Sequence, residues 1–266
     1  MHLGSLAASR GFRLESLGGV GSTNDEALAR ARAGDVGGLW IVAESQTGGR
    51  GRQGRAWVSP TGNLYASLLL IDPCESARAP ELGFVAGVAL KEAACAAIAA
   101  AAAGARSETH SGTLGLKWPN DLVASGAKVS GMLLEASRTE RGALATVVGI
   151  GVNCRNAPGG LAYPTADLSG LSGAVVARET VFAALSDALA HWLAVWRGGE
   201  NFAAVRAAWL AGCVGLGAPI TVARPEGVVA GVFKTIDETG RLIISQPGRD
   251  VAVDAGDVLL TPRSIG

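Results

Sequence analysis

The sequence predicts an α+β fold: a mixed, largely antiparallel sheet with flanking helices, followed by a small β-barrel. Three observations carry this expectation. Residues 114–124, 127–137 and 143–153 are β-type runs joined by short connections. Such a meander pairs antiparallel and leaves no room for the crossovers of a parallel sheet. Long helical patterns cover 80–104 and, in two pieces, about 178–197 and 199–211. Beyond Gly212 the chain changes to short β runs separated by glycine or charged turns, the pattern of a small barrel. We therefore expect a larger domain over 1–212 and a smaller one over 213–266.

The elements follow in order. Residues 21–34 have a helix start and stop: Thr23 with Glu26 fits a capping box and Gly34 a C-terminal cap. LWIVAES at 39–45 reads as a strand that runs into a glycine- and arginine-rich loop at 48–57. NLYASLLLI at 63–71 is a second strand, with Pro60 and Gly62 as breakers before it. Pro80 opens the long helix and Gly104 closes it. A polar loop over 105–113 precedes the three-stranded meander, and a Gly/Pro-rich loop over 157–173 follows it.

Composition narrows the function. Lys+Arg and Asp+Glu balance at 23 each, which argues against a protein held on nucleic acid by bulk charge. The N-terminus lacks the charged head and apolar core of a signal peptide. The alanine run at 93–103 follows Lys91-Glu92 and makes a poor membrane span. Cys74, Cys95, Cys154 and Cys213 form no CxxC pair and read as buried thiols of a reducing, cytoplasmic compartment. His2, His110 and His191 are isolated, so no histidine-based metal site is expected. Only four lysines stand in the chain, Lys91, Lys117, Lys128 and Lys234, against nineteen arginines. Four cases carry no statistical rule, but a retained lysine can be one whose compact ammonium is needed, and this directs attention to Lys117 and Lys128.

Four segments carry chemistry. Ser22-Thr23-Asn24 opens a helix; taken alone it reads first as a cap, yet a helix start also aims hydroxyls and free N–H groups at a ligand. GGRGRQGRAW at 48–57 holds three arginines among four glycines. Glycine permits backbone closed to other residues, and arginine forks suit carboxylate or phosphate. The segment reads equally as a solvated surface loop or as a lid over an anion. Lys117-Trp118-Pro119-Asn120-Asp121 packs a cation, an indole, an amide and a carboxylate around a proline that weakens an ordinary strand. Lys128, on the next strand, reads by itself more readily as a solvated side chain than as a functional one.

Together these segments give the chain a resemblance to the biotin–protein ligases, also called biotin–acetyl-CoA-carboxylase ligases. GRGRQGR followed by Trp57, KWPND at 117–121, KVSGMLLE at 128–135 and GIGVN at 149–153 come in the family's order and approximate spacing. Ser130 is a departure, where members often carry alanine or glycine. Some bacterial members begin with a DNA-binding helix-turn-helix domain; here 21 residues precede the STN segment, so the resemblance is to the enzyme-only form, with no DNA and no membrane partner.

The resemblance implies a class II synthetase-like catalytic domain with an SH3-like C-terminal barrel, ATP and biotin as substrates, and Mg²⁺. Biotin's carboxylate attacks the α-phosphorus of ATP to give biotinyl-5′-AMP. A lysine of a biotin carboxyl carrier domain, part of a biotin-dependent carboxylase, then takes the biotin. A homodimer is left open. By the same resemblance Ser22, Thr23, Asn24 and Gln46 meet biotin's polar end, and Arg50, Gly51 and Arg52 close over it. Lys128 meets the carboxylate and α-phosphate, and Lys117 assists it. Arg52, Arg55, Trp57, Lys117, Asn120 and Asn153 face the nucleotide, Trp57 and Trp118 wall the site, and Asp121 is a candidate metal ligand. Ordering the lid costs on the order of 10 kcal/mol in backbone entropy, so without an anion the loop is expected to be open. The nearest rival is a lipoate–protein ligase, which shares the adenylation logic; a second is a non-catalytic nucleic-acid binder using the RGR loop.

Overall fold

A computed structural model describes residues 1–104 and 114–260. The expected polar loop at 105–113, with His110, lies outside the described residues. A short helix α1 (Ser5–Ser9) leads into β1 (Arg13–Val20), α2 (Thr23–Arg32), β2 (Leu39–Gln46), β3 (Leu64–Ile71) and the long α3 (Glu81–Gly104). Then come β4 (Leu114–Lys117), β5 (Asp121–Ala124), β6 (Ala127–Arg138) and β7 (Leu144–Val152), followed by α4 (Leu168–Ser172), α5 (Arg178–Trp196) and α6 (Phe202–Gly212). Five short strands close the chain: β8 (Pro219–Arg224), β9 (Gly227–Ile236), β10 (Leu242–Gln246), β11 (Arg249–Val253) and β12 (Asp257–Leu260).

The first seven strands form one sheet in the order β1-β2-β3-β7-β6-β5-β4. Every pairing is antiparallel except β1 with β2. That parallel pair needs a crossover, which α2 provides. Strand β1 was not legible in the sequence: RLESLGGV carries two glycines and is half exposed at the sheet edge. A second difference concerns 114–124. The expected single strand is a hairpin, β4 and β5 paired Lys117↔Asp121, with Trp118-Pro119-Asn120 as its turn and a cis Trp118–Pro119 bond. Proline has no N–H for a ladder, and it stands where no ladder bond is needed.

Side-chain alternation sorts the sheet into two faces. Trp40, Val42, Leu68, Val148 and Ile150 join the large core against α3 and α5, while Leu39, Ile41, Leu69, Ala145 and Val147 pack with Ala27 and Ala31 of α2. Helix α3 is long and apolar enough to cross a membrane by length and composition. Here Leu82, Val85, Ala86, Ala89, Leu90 and Ala93 are buried in the large core, as in the centre of a globular domain. Of the four cysteines only Cys154 is fully buried, and its thiol is pushed up to about 12 by desolvation. Cys95 is exposed on α3, against the expectation that all four are buried.

The closing strands form a second antiparallel sheet, β11-β10-β9-β8-β12. The segment DVAVDAGDVLL, expected as one run, divides into β11 and β12 at Asp254-Ala255-Gly256. This sheet leans on the β4–β5 turn: Trp118 is 3 % exposed and its indole N–H donates to Gly240 O at 3.3 Å.

Candidate active site

The cavity begins where the α2 face of the sheet changes composition. Registers pair Leu69↔Val147, Ser67↔Gly149 and Tyr65↔Gly151 between β3 and β7, then Gly149↔Leu133 and Gly151↔Gly131 between β7 and β6. Reading along that face, apolar pairs give way to a hydroxyl, a phenol and three glycines. The glycines are the floor. A Cβ at Gly149 would stand 2.3 Å from Asn24 Oδ1, and one at Gly151 2.5 Å from the Trp57 indole. A Cβ at Gly131 would come within 3.1 Å of the Lys128 ammonium. Strand alternation gives the glycines of GIGVN their role, with Ile150 in the core and Gly149 and Gly151 under the cavity.

One end of the cavity is polar and tightly wired. Ser22, Thr23 and Asn24 are each at most 5 % exposed. Ser22 is the N-cap of α2 yet makes no side-chain cap bond, and the expected Thr23–Glu26 capping box does not form. Thr23 instead turns inward: its N–H and its hydroxyl donate to Gln46 Oε1 at 2.8 and 3.1 Å. Ser67 Oγ lies 2.7 Å from Thr23 Oγ1 and donates to Asn24 Oδ1 at 2.6 Å. Ser67, missed in the sequence, lies inside a strand pattern that reads as plain core.

The opposite side is cationic. Arg52, Arg55, Lys117 and Lys128 line it against two carboxylates among the described residues, Asp121 and Asp257, while Arg50 stands at the Asn24 end. Lys128 Nζ lies 2.7 Å from Asp121 Oδ1, without the alignment of a hydrogen bond, and 5.5 Å from the ring centroids of both Trp57 and Tyr163. Its backbone is pinned as well: Lys128 N–H donates to Pro164 O at 2.8 Å and Ala166 N–H to Lys128 O at 3.0 Å. Those bonds draw Tyr163 over the ammonium from a loop that the sequence marks only as Gly/Pro-rich.

The arginines differ in charge balance. Arg50 forks onto Asp25 at 2.7 and 2.6 Å, which holds its proton more tightly than usual and pulls the Asp25 carboxyl below its ordinary range. Arg52 is different. Burial pushes its guanidinium below the ordinary arginine value, with Asp257 opposing, and its hydrogen bonds go to neutral oxygens, Gly256 O at 3.2 Å and Asn120 Oδ1 at 3.4 Å. A desolvated cation with neutral partners is one that an anionic ligand would stabilise. Arg55 reaches Asp257 Oδ1 at 2.9 Å.

These bonds close the loop, contrary to the expectation that it stands open. Arg50 bridges Ala56, Gly51 N–H donates to Arg55 O at 2.7 Å, and Trp57 N–H to Gly49 O at 2.9 Å. Gln53 and Gly54 make the turn at φ +56° and +71°. Besides any ligand anion, the chain supplies anchors of its own in Asp25, Glu135, Asp257 and the Gly256 carbonyl, and these offset part of the backbone entropy of ordering the loop.

Of the residues singled out in the sequence, the cavity brings together Ser22, Thr23, Asn24, Gln46, Arg50, Gly51, Arg52, Arg55, Trp57, Lys117, Asn120, Asp121 and Lys128. Two do not reach it. Asn153 is 1 % exposed behind β6, and its amide donates to Lys128 O at 3.4 Å and Ala166 O at 3.2 Å, so it supports the lysine's backbone. Trp118 is committed to the second sheet rather than to a cavity wall. Asp257, Val258 and Leu259 line the cavity from β12, a contribution nothing in the tail's pattern announces. No cluster of three or more His, Cys, Asp or Glu side chains suited to a metal occurs among the described residues. Asp121 beside Asn120 offers one carboxylate and one amide oxygen, which fits a Mg²⁺ held mostly by substrate phosphates and water.

Comparison with known proteins agrees with this geometry. Residues 23–153 match the Biotin/lipoate A/B protein ligase family, and residues 215–260 match the Biotin protein ligase C terminal domain. A biotin–[acetyl-CoA-carboxylase] ligase of Paracoccus denitrificans is 38 % identical over 242 residues, spanning 89 % of this chain and 96 % of the relative. One from Mycobacterium tuberculosis is 33 % identical over 262 residues, spanning 96 % and 91 %. Among solved structures, a biotin protein ligase from Aquifex aeolicus in complex with biotin and ATP aligns with a TM-score of 0.74 at 27 % identity, covering 94 % of this chain and 98 % of that one.

Proposed function

The chain belongs to the biotin/lipoate A/B protein ligase family, and from that membership we propose that it is a biotin–protein ligase. It activates biotin with ATP to biotinyl-5′-AMP and passes the biotin to a lysine of a biotin carboxyl carrier domain. The observation that carries this reading is the cavity's asymmetry: a wired polar end at Thr23, Asn24 and Gln46, and an excess of cations at the other. A ligand that is a neutral hydrogen-bonding ring at one end and an acyl phosphate at the other matches both.

In the first step an oxygen of the biotin carboxylate forms a bond to the α-phosphorus while the bond to pyrophosphate breaks. Two anions must approach, so the contribution asked of the protein is positioning and charge. Lys128 exchanges Asp121 for the shared carboxylate and phosphate oxygens, a pivot within reach of a flexible ammonium. Arg52 gains the anion its burial lacks, and Lys117 and Arg55 face the remaining phosphate charge. Trp57 and the glycine floor keep water from the mixed anhydride. Asp121, with Asn120, would hold Mg²⁺, which when bound offsets charge on the phosphates. In the second step the acceptor amine forms the amide, and AMP leaves carrying the anhydride oxygen. We assign 1–212 to this chemistry and 213–266 to a second unit that completes the cavity rim through β12. The reaction's substrates fit a cytoplasmic enzyme.

Pyrophosphate exchange into ATP tests the reading. Biotin should stimulate exchange and lipoate should not. Exchange driven by lipoate alone would reassign the chain within its family, and exchange with neither would remove the adenylation step.

A further inference from the structure

The lid arginine is anchored from outside the cavity by two carboxylates of unlike reach. Among the described residues Asp25, on the first turn of α2, accepts hydrogen bonds from Arg50 alone, through both oxygens. Glu135, near the end of β6, divides its oxygens. Oε1 takes Arg50 Nη2 at 3.4 Å, and Oε2 accepts from Asn24 Nδ2 at 2.6 Å. Asn24 is buried on the cavity floor, and its other amide atom, Oδ1, accepts from Ser67 Oγ at 2.6 Å. An amide with a carboxylate at its nitrogen and a hydroxyl donor at its oxygen has one orientation. Gly149 leaves it no slack, since even a Cβ there would stand 2.3 Å from Oδ1. Glu135 itself does not line the cavity.

We infer that Glu135 is a positioning residue with two separable duties. It anchors the closed lid through Arg50, and it fixes the amide of Asn24 for the polar end of the bound ligand. The second duty rests on the biotin-ligase reading; the first does not. When the lid lifts, the Glu135 carboxylate loses its cation but keeps its amide donor. Asp25 has no such second bond, so the two carboxylates predict different phenotypes.

The test uses the full chain and the variants Asp25→Ala, Glu135→Ala and Glu135→Gln. Two measurements are made: tryptic cleavage within the lid, at Arg50, Arg52 and Arg55, and the KM for biotin beside kcat and the KM for ATP. Loss of a part-exposed ion pair should quicken lid cleavage about three- to fivefold in all three variants. Loss of the charge-assisted bond to Asn24 should raise the biotin KM about tenfold or more in Glu135→Ala alone, with kcat and the ATP KM within about twofold. Glu135→Gln keeps an oxygen for Asn24, so its biotin KM should return toward the wild-type value while its lid stays quick to cleave. The inference is overturned if Asp25→Ala and Glu135→Ala shift the biotin KM equally, or if lid cleavage is unchanged. It is also overturned if Glu135→Ala lowers kcat, both affinities and the melting temperature together, in which case Glu135→Gln, folded or not, will show no split. A wild-type chain that never adenylates biotin sinks the functional reading and with it the amide duty; the proteolysis still decides the lid duty.

Discussion

Arg52 and Lys128 are both cations of the cavity, and they differ in how their charge is met. Lys128 has a carboxylate 2.7 Å away, while Arg52 is desolvated among neutral oxygens. Arg52 should therefore hold the intermediate. Replacing it with glycine removes a charge-assisted bond of about 1.5–3 kcal/mol, roughly a factor of 10–150 in retention of biotinyl-AMP, and loosens the lid backbone as well. The dissociation rate of preformed biotinyl-AMP should rise, and streptavidin-detected labelling of a bystander protein should rise with it. Synthesis abolished with an unchanged off-rate would instead tie Arg52 to the first chemical step. Lys128→Arg should fail to restore adenylation although charge is kept, because a rigid fork does not fit the space bounded by Trp57, Tyr163 and the Gly131 floor. Near-normal pyrophosphate exchange in that variant would make Lys128 a solvated charge. The sequence pointed to Lys128 through the rarity of lysine, a compositional signal. For Asn153 it could not give the partner, because a polar residue at a strand end looks the same whether it faces a ligand or, as its amide does here, a backbone carbonyl.

The strands explain why the cavity exists at all. Period-two alternation sends Val148, Ile150 and Val152 into the core and leaves Gly149 and Gly151 under the ligand space. Gly151→Ala should move the Trp57 ring, since the added carbon would stand 2.5 Å from it. Trp57 is held by a loop rather than by the core, so the expected result is a loss of adenylation rate with a melting temperature within a few degrees of wild type. Thermal melts beside exchange assays would show this; equal loss in both would mean that the ring is part of the fold's support. Element boundaries were legible where patterns are long and apolar, as in β3, β7, α3 and α5. They failed where few residues carry the turn. The β4–β5 hairpin turns through Trp118-Pro119-Asn120, and proline there looked like a defect in one strand. Strand β1 was lost to its glycines and charges, because its pairing comes from the crossover and not from its own propensity.

Across the whole molecule, two sheets share one cavity. The β12 strand brings Asp257 to Arg55, the turn before it brings Gly256 O to Arg52, and the β9–β10 turn brings Gly240 O to Trp118. None of this is readable from the tail, since such contacts depend on how separate sheets meet and leave no periodic trace. Both partners of the Arg55–Asp257 pair are well exposed, so Asp257→Asn should alter lid closure by less than about fivefold. Asp257→Lys sets a like charge against Arg55 and beside Arg52. It should quicken tryptic cleavage of the lid more than Asp257→Asn does and shorten retention of biotinyl-AMP. A charge reversal no worse than the neutral variant would leave the second sheet without a hold on the lid.

Biotin–protein ligase activity requires that an activated biotin form in this cavity and leave it on a lysine. Single-turnover transfer reads both events: the full chain is mixed with biotin, ATP and Mg²⁺ and then with a purified biotin carboxyl carrier domain, and each stage is followed by mass spectrometry. The expected result is biotinyl-AMP bound to the protein before the carrier is added, then its disappearance in step with one biotin on one carrier lysine and release of AMP. No adenylate at any protein concentration, or adenylate that never reaches the carrier, would contradict the account.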